Sequence, residues 1–575
     1  MDLLSEYKFI NCLGLYVKFF IPLGNYKSRY MKFKIFTSLA VACFFSFTVS
    51  VNAQEVFHHI SNSNVYDLLD ELANQHIIDL STAVKPYSRK LIAEKLTEAQ
   101  PQTDKLNKQQ WKQVNFLLKD FNKDLLPAKS FKKRLDLFSY KDTLFNITVN
   151  PIAGFVYYAN SDDKMYRQRV GGEFWATVGT HFSIYGSLRD QTDSRVVADS
   201  PFSNDEPGAN YKFNGDVGSI KRGGSYDETR GGIVYSWKWG SFGVLKDNLT
   251  WGNSYHSSNI ISDKAPSFPF MRLQIKPRKW FEFNYIHAWL SSEVVDTSRS
   301  YNAGASDRII FHPKYFAANM FTFKPLNRLY VSVGNSVVYS DELQLGMFTP
   351  VLFYKSVDHT LNGQGANYSG QNSQLFFDVS SRNIKNLHLY SSLFIDEIAL
   401  GRALEQDQSN FLSFKIGAAY SNPMFLGTTL IAEYTRTNPI TYRHFVNTTT
   451  YASNNFTMGH YLGDNSQEIY LAVKSRPIQK LYLEASYTKA ECGPTYEYTG
   501  KNKSGLGLPF ISSTVYDNTT INLKAKYEVI NDAFVVGGIT LSENKGDMAK
   551  AYTPPFYYGK DGKTSTVYFG FNVGF

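Results

Sequence analysis

The chain has 575 residues, 16% of them aromatic, with 3 cysteines and a formal net charge of +9. Beyond residue 54, no stretch holds the ~18 consecutive apolar residues of a transmembrane helix, and the dispersed positive charge does not indicate nucleic-acid binding. Cys492 is the sole cysteine beyond that point, which excludes an internal disulfide in the exported chain.

The amino-terminal segment carries an export signal. Met31 begins a short basic stretch, residues 35–49 are mostly apolar, and residues 51–53 (Val-Asn-Ala) form a small-residue cleavage site. We therefore expect Met31 to be the true start, residues 1–53 to be a removed signal region, and the mature protein to begin near Gln54. The removed part holds six basic and two acidic side chains, a net +4, which leaves about +5.

Residues 54–140 are predicted to form a small helical module. Apolar residues recur at helical spacing in the first helix, at Val65, Leu68, Leu69 and Leu72. Ser88 is placed to cap a second helix, and Asn107 with Gln110 forms a capping box that opens a third. The pattern is compatible with a bundle that packs only on itself and with a periplasmic plug.

From about residue 144 the hydrophobic period changes to two, which is typical of strands. The polar run 447–450 lacks an apolar face, so 440–452 is interpreted as a loop. Eighteen strands are predicted, at 144–158, 166–178, 180–190, 229–239, 241–249, 268–276, 280–291, 312–324, 328–340, 371–381, 386–398, 410–421, 428–437, 466–475, 480–489, 519–529, 532–543 and 563–575. Eight short turns alternate with nine mostly longer loops, the layout of outer-membrane barrels.

The last strand favours the same class. Its outward set would be Val567, Phe569, Phe571, Val573 and Phe575, and its inward set Tyr568, Gly570, Asn572 and Gly574. A strand that is apolar outward and ends on Phe is typical of the closing strand of a bacterial outer-membrane barrel. The sequence therefore predicts an all-β transmembrane barrel of about 18 antiparallel strands over residues 141–575. Its location would be the cell outer membrane, with the helical module in the periplasm.

Short motifs then follow one another along the chain. They read YDLLDEL at 66–72, KPYS at 85–88, KDNLTWG at 246–252, SFPF at 267–270, DRIIFH at 307–312 and FIDE at 394–397. In this order, ahead of and within 18 strands, they resemble the Wzi-type capsule assembly proteins in the form found in Bacteroidetes, over nearly all of the mature chain. The resemblance implies a surface lectin that retains exported capsular polysaccharide at the outer membrane. Similar proteins of gliding bacteria are tied to motility or adhesion, and a porin-like channel is a further alternative.

No catalytic constellation is present in the sequence. The chain has no Gly-x-Ser-x-Gly elbow, no His-Glu-x-x-His motif and no cysteine cluster. His58 and His59 lack a third ligand at useful spacing and are expected to be surface histidines. Asp396 and Glu397 are neighbours on a strand, so their side chains should point to opposite faces. We expect a protein that is not an enzyme and needs no cofactor or metal; a barrel-borne hydrolase is the alternative.

Three predicted outer loops carry the candidate carbohydrate-binding residues. Planar polar side chains can bond sugar hydroxyls, and aromatic rings can stack on sugar CH faces. The candidates are Trp251, Asn253, Tyr255, His256 and Asn259 in the first loop, Asn362, Gln364 and Tyr368 in the second, and Tyr442, Arg443, His444 and Asn447 in the third. Ordinary loop and interface aromatics would give the same composition. The expected partners are capsular or surface polysaccharide, outer-membrane lipid and the barrel assembly machinery.

Overall fold

The computed structural model describes residues 55–125, 134–161, 164–194, 212–213, 224–304, 306–357, 370–398, 410–422, 427–497, 508–547 and 561–574. The signal region, the candidates Asn362, Gln364 and Tyr368, and Phe575 lie outside these ranges. Within these ranges, no helix has the length and apolar character needed to cross a bilayer.

Within the described ranges, eighteen antiparallel strands close into a barrel, as predicted, and two short strands, Phe138–Lys141 and Lys212–Phe213, pair with members of it. The eighteen are β1 (Phe145–Ala159), β2 (Lys164–Val178), β3 (Phe182–Asp193), β4 (Gly224–Trp237), β5 (Gly240–Asp247), β6 (Phe268–Arg278), β7 (Phe281–Leu290), β8 (Lys314–Leu326), β9 (Leu329–Ser340), β10 (Asn372–Ser381), β11 (Leu387–Glu397), β12 (Phe411–Asn422), β13 (Thr428–Thr437), β14 (Ser466–Ser475), β15 (Leu481–Cys492), β16 (Tyr516–Ile530), β17 (Ala533–Gly546) and β18 (Gly562–Val573). Each strand pairs with its neighbours in sequence order. β18 closes the barrel on β1, with Val567 opposite Ala159 and Val573 opposite Ala153.

The outward faces of the strands form an apolar belt. On β16 and β17 it comprises side chains that are 39–54% exposed, namely Ile521, Leu523, Val535, Ile539 and Leu541. Toward the long loops, the same faces carry charge, at Lys489, Asp517, Glu543 and Lys545. An apolar belt below a charged rim is what a bilayer-spanning barrel presents to acyl chains and headgroups.

In the part of the chain that the structure describes, three α-helices precede the barrel: α1 (Ser63–Asn74), α2 (Arg89–Ala99) and α3 (Lys108–Phe121). The predicted caps of α2 and α3 are confirmed. Ser88 Oγ accepts a hydrogen bond from the Leu91 amide at 3.2 Å, and Asn107 with Gln110 forms the full capping box. Apolar residues of the three helices pack into one core, with Leu68, Leu69, Leu72, Ile92, Leu96, Val114 and Leu117 buried. We call residues 55–125 the plug.

The plug closes the end of the barrel that carries the short turns. Acidic side chains of the plug meet basic side chains of the wall in four ion pairs: Asp67 with Lys474, Asp70 with Arg382, Glu71 with Arg476, and Asp79 with Lys324. Gln113 of α3 also donates to the Tyr482 hydroxyl at 2.5 Å. The module is therefore bound to the wall rather than packed only on itself.

The expectation that His58 and His59 lie on the surface is wrong. They are 7% and 1% exposed, because the segment before α1 runs between the helices of the plug and the barrel wall. The His58 ring packs on Tyr66 and Phe121, and His59 contacts Asn248. Two adjacent polar residues gave no sequence signal for this tertiary burial.

Candidate functional site: the filled lumen and its cap

The connection between β5 and β6, residues 248–267, folds into the lumen, and we call it the inner loop. Its residues Thr250 and Trp251 pair antiparallel with Val84 and Lys85 of the plug. Trp251 is only 1% exposed. The expectation that this segment is an outer loop is therefore wrong, since its aromatic and polar side chains form internal contacts with the barrel instead of facing solvent.

The other candidates of the inner loop also contact the wall. The Asn253 amide donates to Asp378 of β10 at 2.8 Å, and the Tyr255 amide donates to Glu433 of β13 at 2.7 Å. The Asn259 side chain donates to a backbone carbonyl of β12 at 3.0 Å. These bonds satisfy polar groups that the lumen buries, as interior polar groups require.

His256 belongs to a buried cluster within the lumen. Its ring stacks on Tyr470 with centroids 4.2 Å apart, and its Nε2 lies 3.6 Å from a Glu468 oxygen. His460 approaches the other oxygen of Glu468 at 3.4 Å. Across the described part of the chain, no group of three His, Cys, Asp or Glu side chains is arranged to hold a metal ion.

The connection between β13 and β14, residues 438–465, crosses the opposite mouth, and we call it the cap loop. The loop reaches strands that are not adjacent to β13 and β14. Its backbone carbonyls accept hydrogen bonds from the side chains of Lys314 in β8, at 2.8 Å, and Asn372 in β10, at 3.1 Å. Its residues Tyr442 and Tyr451 donate to inner-loop carbonyls at 2.8 and 2.9 Å. Plug, inner loop and cap loop therefore form a continuous column through the lumen.

The outer surface of the cap loop presents a guanidinium, an aromatic ring and an amide at alternate positions. The Arg443 side chain is 44% exposed, Phe445 is 36% exposed, and Asn447 is exposed beside them. We call Arg443, Phe445 and Asn447 the cap row. Of the candidates predicted in this loop, Arg443 and Asn447 face solvent, whereas Tyr442 is 4% exposed and belongs to the column.

His444 is held in its neutral form between Arg443 and Phe445. The Val446 amide donates to its Nδ1 at 3.4 Å, and the Thr449 hydroxyl lies 2.8 Å from the same nitrogen. Burial lowers the pKa of His444 to about 4. Phe445 was not among the candidates predicted from the sequence; its place in the cap row follows from its exposure in the folded chain.

The lumen also contains open space. A cavity of about 180 Å³ lies between the plug and the part of the wall that is formed by β13–β18 and, across the barrel closure, by β1–β3. Seven basic and four acidic residues line it, and among the basic ones are Arg167, Arg169, Lys474, Arg476, Lys524 and Lys526. Several are fixed by ion pairs, such as Lys474 with Asp67 at 3.0 Å. The cavity is therefore polar, and its lining has more basic than acidic side chains.

Comparisons with known proteins identify the family. A family model described as "Capsule assembly protein Wzi" matches residues 163–546. No curated protein matches the chain. Among solved structures, the chain is similar to Escherichia coli Wzi, described as an outer membrane protein involved in group 1 capsule assembly and as a carbohydrate-binding β-barrel. That match has 13% identity and a TM-score of 0.53, and covers 91% of this chain and 100% of that chain, which shows a shared fold.

Two Pseudomonas aeruginosa barrels are more distant. OccD3 has 9% identity and a TM-score of 0.38, covering 74% of this chain and 90% of that chain. OccK5 has 11% identity and a TM-score of 0.40, covering 74% and 97%. These scores are too low to support an argument. The family model, in contrast, spans more than half of the sequence, and the chain belongs to the Wzi family of capsule assembly proteins.

Proposed function

We propose that this barrel is placed in the cell outer membrane and binds and retains surface (capsular) polysaccharide there. The observation that carries the proposal is the column of plug, inner loop and cap loop through the lumen. A barrel filled in this way is poorly suited to passive transport but gives its outer loops a rigid support. Membership of the capsule assembly family and the carbohydrate binding of the E. coli relative support the same function.

The orientation follows from the loops. Barrels of this class place short turns in the periplasm and long loops outside. The plug contacts the short-turn end through Arg382 and Arg476, which supports its proposed position at the periplasmic mouth. The cap row then faces the cell exterior, where exported polymer is held.

The cap row is the proposed contact surface for the polymer. Phe445 can stack on the CH face of a sugar, while Arg443 and Asn447 can bond hydroxyl or carboxylate groups. The five candidates of the inner loop support this surface from below, because their side chains or backbones make internal contacts within the column. They are Trp251, Asn253, Tyr255, His256 and Asn259. The sequence also predicts polysaccharide contacts at Asn362, Gln364 and Tyr368.

The proposed activity is binding without turnover, and the polymer should leave the protein chemically unchanged. The remaining proposed partners are lipid around the apolar belt and the barrel assembly machinery, which would act on the closing strand β18. A hydrolase would instead shorten purified polymer during incubation with the barrel, and size-exclusion chromatography of the polymer distinguishes the two.

Binding of polysaccharide from the same cells to the purified barrel tests the proposal. We expect Arg443→Ala, Phe445→Ala and Asn447→Ala together to weaken binding, by about 1–2 kcal/mol for each anchoring side chain lost. Tyr301→Ala is the matched control, because Tyr301 is 53% exposed on the neighbouring loop 291–313. Unchanged binding by the triple variant, with loss in the Tyr301 variant, would refute the cap row as the contact surface.

Single-channel conductance separates the proposal from a porin-like channel. The column predicts a closed or nearly closed barrel in planar bilayers. A large, steady conductance of the full chain would instead support the channel.

A further inference from the structure

Residues 342–357, which follow β9, run back along the outside of the barrel wall, and we call them the strap. The Tyr285 hydroxyl donates to the Met347 carbonyl at 3.0 Å, and the His287 ring stacks on Phe348 with centroids 4.0 Å apart. Both side chains point away from the lumen, because the alternate residues Ile286 and Ala288 belong to the lumenal core. The strap therefore covers the outer face of the strands.

Beneath the strap lies a pair of asparagines. Asn319 of β8 and Asn335 of β9 are directly opposite each other, and Asn335 Nδ2 donates to Asn319 Oδ1 at 2.7 Å. Asn319 Nδ2 donates to the carbonyls of Pro350 and Leu352 at 2.9 and 2.8 Å. The Tyr354 amide donates to Asn335 Oδ1 at 2.9 Å. The strap thus supplies the remaining hydrogen-bond partners of an outward-facing polar pair.

The height of this pair on the wall can be read from the strands. Asn319 lies eight residues before Asn327, which is in the short turn between β8 and β9. Leu523 likewise lies eight residues before Asn531, in the short turn between β16 and β17, so the two residues are at a similar height above the turns. Leu523 and its partner Ile539 are lipid-belt residues, 45% and 39% exposed. The asparagines are therefore at the level of hydrocarbon, where amides without partners are strongly unfavourable.

The outer side of the strap carries large apolar side chains, and its exposed charged residues, Glu342 and Lys355, lie near its two ends. Leu345 is 79% exposed, Val351 is 64% exposed and Phe353 is 50% exposed. Large exposed apolar patches on a protein surface indicate contact with a partner or a membrane. This patch continues the apolar belt at the same height, which favours the membrane.

We propose that the strap is embedded in the outer leaflet, where Leu345, Val351 and Phe353 contact lipid acyl chains. In this arrangement the strap takes over the lipid-facing role of the parts of β7–β9 beneath it and seals their polar side chains from hydrocarbon. The inference depends on the placement of the barrel in the membrane and is independent of polysaccharide binding. Failure of the binding experiment would leave it intact.

Site-directed spin labelling of the full barrel in phospholipid vesicles tests the proposal. Nitroxides at Leu345→Cys and Phe353→Cys, in a Cys492→Ser background, are exposed to oxygen, which concentrates in the bilayer, and to a water-soluble nickel chelate. Leu523→Cys provides the lipid-facing control and Asn302→Cys the water-facing control. We expect the oxygen-to-nickel collision ratio at both strap sites to match Leu523 and to exceed Asn302 several-fold.

Two results would overturn the proposal. A ratio equal to that of Asn302 would place the strap in water. Low collision rates with both reagents would show that a protein partner or a second copy of the chain covers it. Val351→Cys replaces either strap site if labelling there impairs assembly, which heat-modifiable gel migration reports.

Discussion

Arg382, in the turn between β10 and β11, donates a hydrogen bond from Nη2 to Oδ1 of Asp70 on α1 at 3.0 Å. Its Nε also donates to Asn74 at 2.7 Å, and the arginine is 2% exposed. A buried, charge-assisted contact of this kind fixes the plug to one particular turn of the barrel. It is one of the four ion pairs that join acidic plug residues to the basic wall.

Arg382→Met should loosen the plug. The change leaves the buried Asp70 with the more distant Lys85 ammonium, 3.9 Å away, and loss of one partner from a buried ion pair costs about 3–5 kcal/mol. Limited proteolysis of α1 in the purified barrel measures the loosening. The matched control is Lys324→Met, because its partner Asp79 is 40% exposed, and exposed pairs contribute only about 0–1 kcal/mol. Equal protease resistance of both variants would contradict the anchoring role of Arg382.

Trp251→Ala should destabilise the barrel. Its ring lies in the lumenal core with Phe376 and the inner-loop isoleucines Ile260 and Ile261, and truncation of a buried aromatic residue removes about 3–5 kcal/mol. Urea titration followed by gel migration measures the loss. Phe445→Ala on the cap row should change stability by only about 0.5 kcal/mol or less. A fully stable Trp251 variant would mean that the inner loop does not support the barrel.

Phe569→Lys should impair assembly. Phe569 faces outward on the closing strand β18 and is 66% exposed, and lysine on the lipid face costs up to about 2–4 kcal/mol, depending on depth. Phe569→Leu keeps the apolar face and serves as the control. The same reasoning predicts impaired assembly of Phe575→Asp. Membrane fractionation checks both, and normal assembly of the lysine variant would contradict the assigned outward face.

The plug should lose stability in mild acid. Burial, reinforced by the charge of Arg89, holds the pKa of His58 well below its usual value. Below about pH 6.5 the unfolded chain gains a proton that the folded chain excludes, so stability falls as the pH decreases. His58→Phe should flatten part of this dependence between pH 7 and 5, since ring contacts with Tyr66 and Phe121 can persist.

Protease resistance of the plug as a function of pH measures this effect. His59 has a similarly lowered pKa through burial and the charge of Arg230, so some dependence should remain in the variant. A pH profile identical to that of the native protein would show that His58 does not contribute.

Local patterns predicted the elements well. The period of two identified the barrel strands, and Ser88, Asn107 and Gln110 marked the beginnings of α2 and α3. These features depend on near neighbours in the chain, so a single sequence contains the necessary signal.

The direction of the loops could not be predicted in the same way. Trp251 and Tyr255 have the composition expected of a ligand-binding loop, but the partners that place them in the lumen lie more than a hundred residues away. The position of the strap could not be predicted for the same reason. A polar residue such as Asn319 is expected to face the lumen, and only its hydrogen bonds to the Pro350 and Leu352 carbonyls explain its outward direction. Long-range pairing, rather than residue type, decides these positions.

The amount of polysaccharide that stays on cells lacking this protein tests the central proposal most directly. A complete deletion should leave polymer synthesis unchanged while polymer moves from the cell-bound fraction to the medium. Re-expression of the native chain should restore the cell-bound fraction, and the triple cap-row variant should restore it only in part. An unchanged cell-bound fraction in the deletion strain would contradict retention of polysaccharide by this barrel.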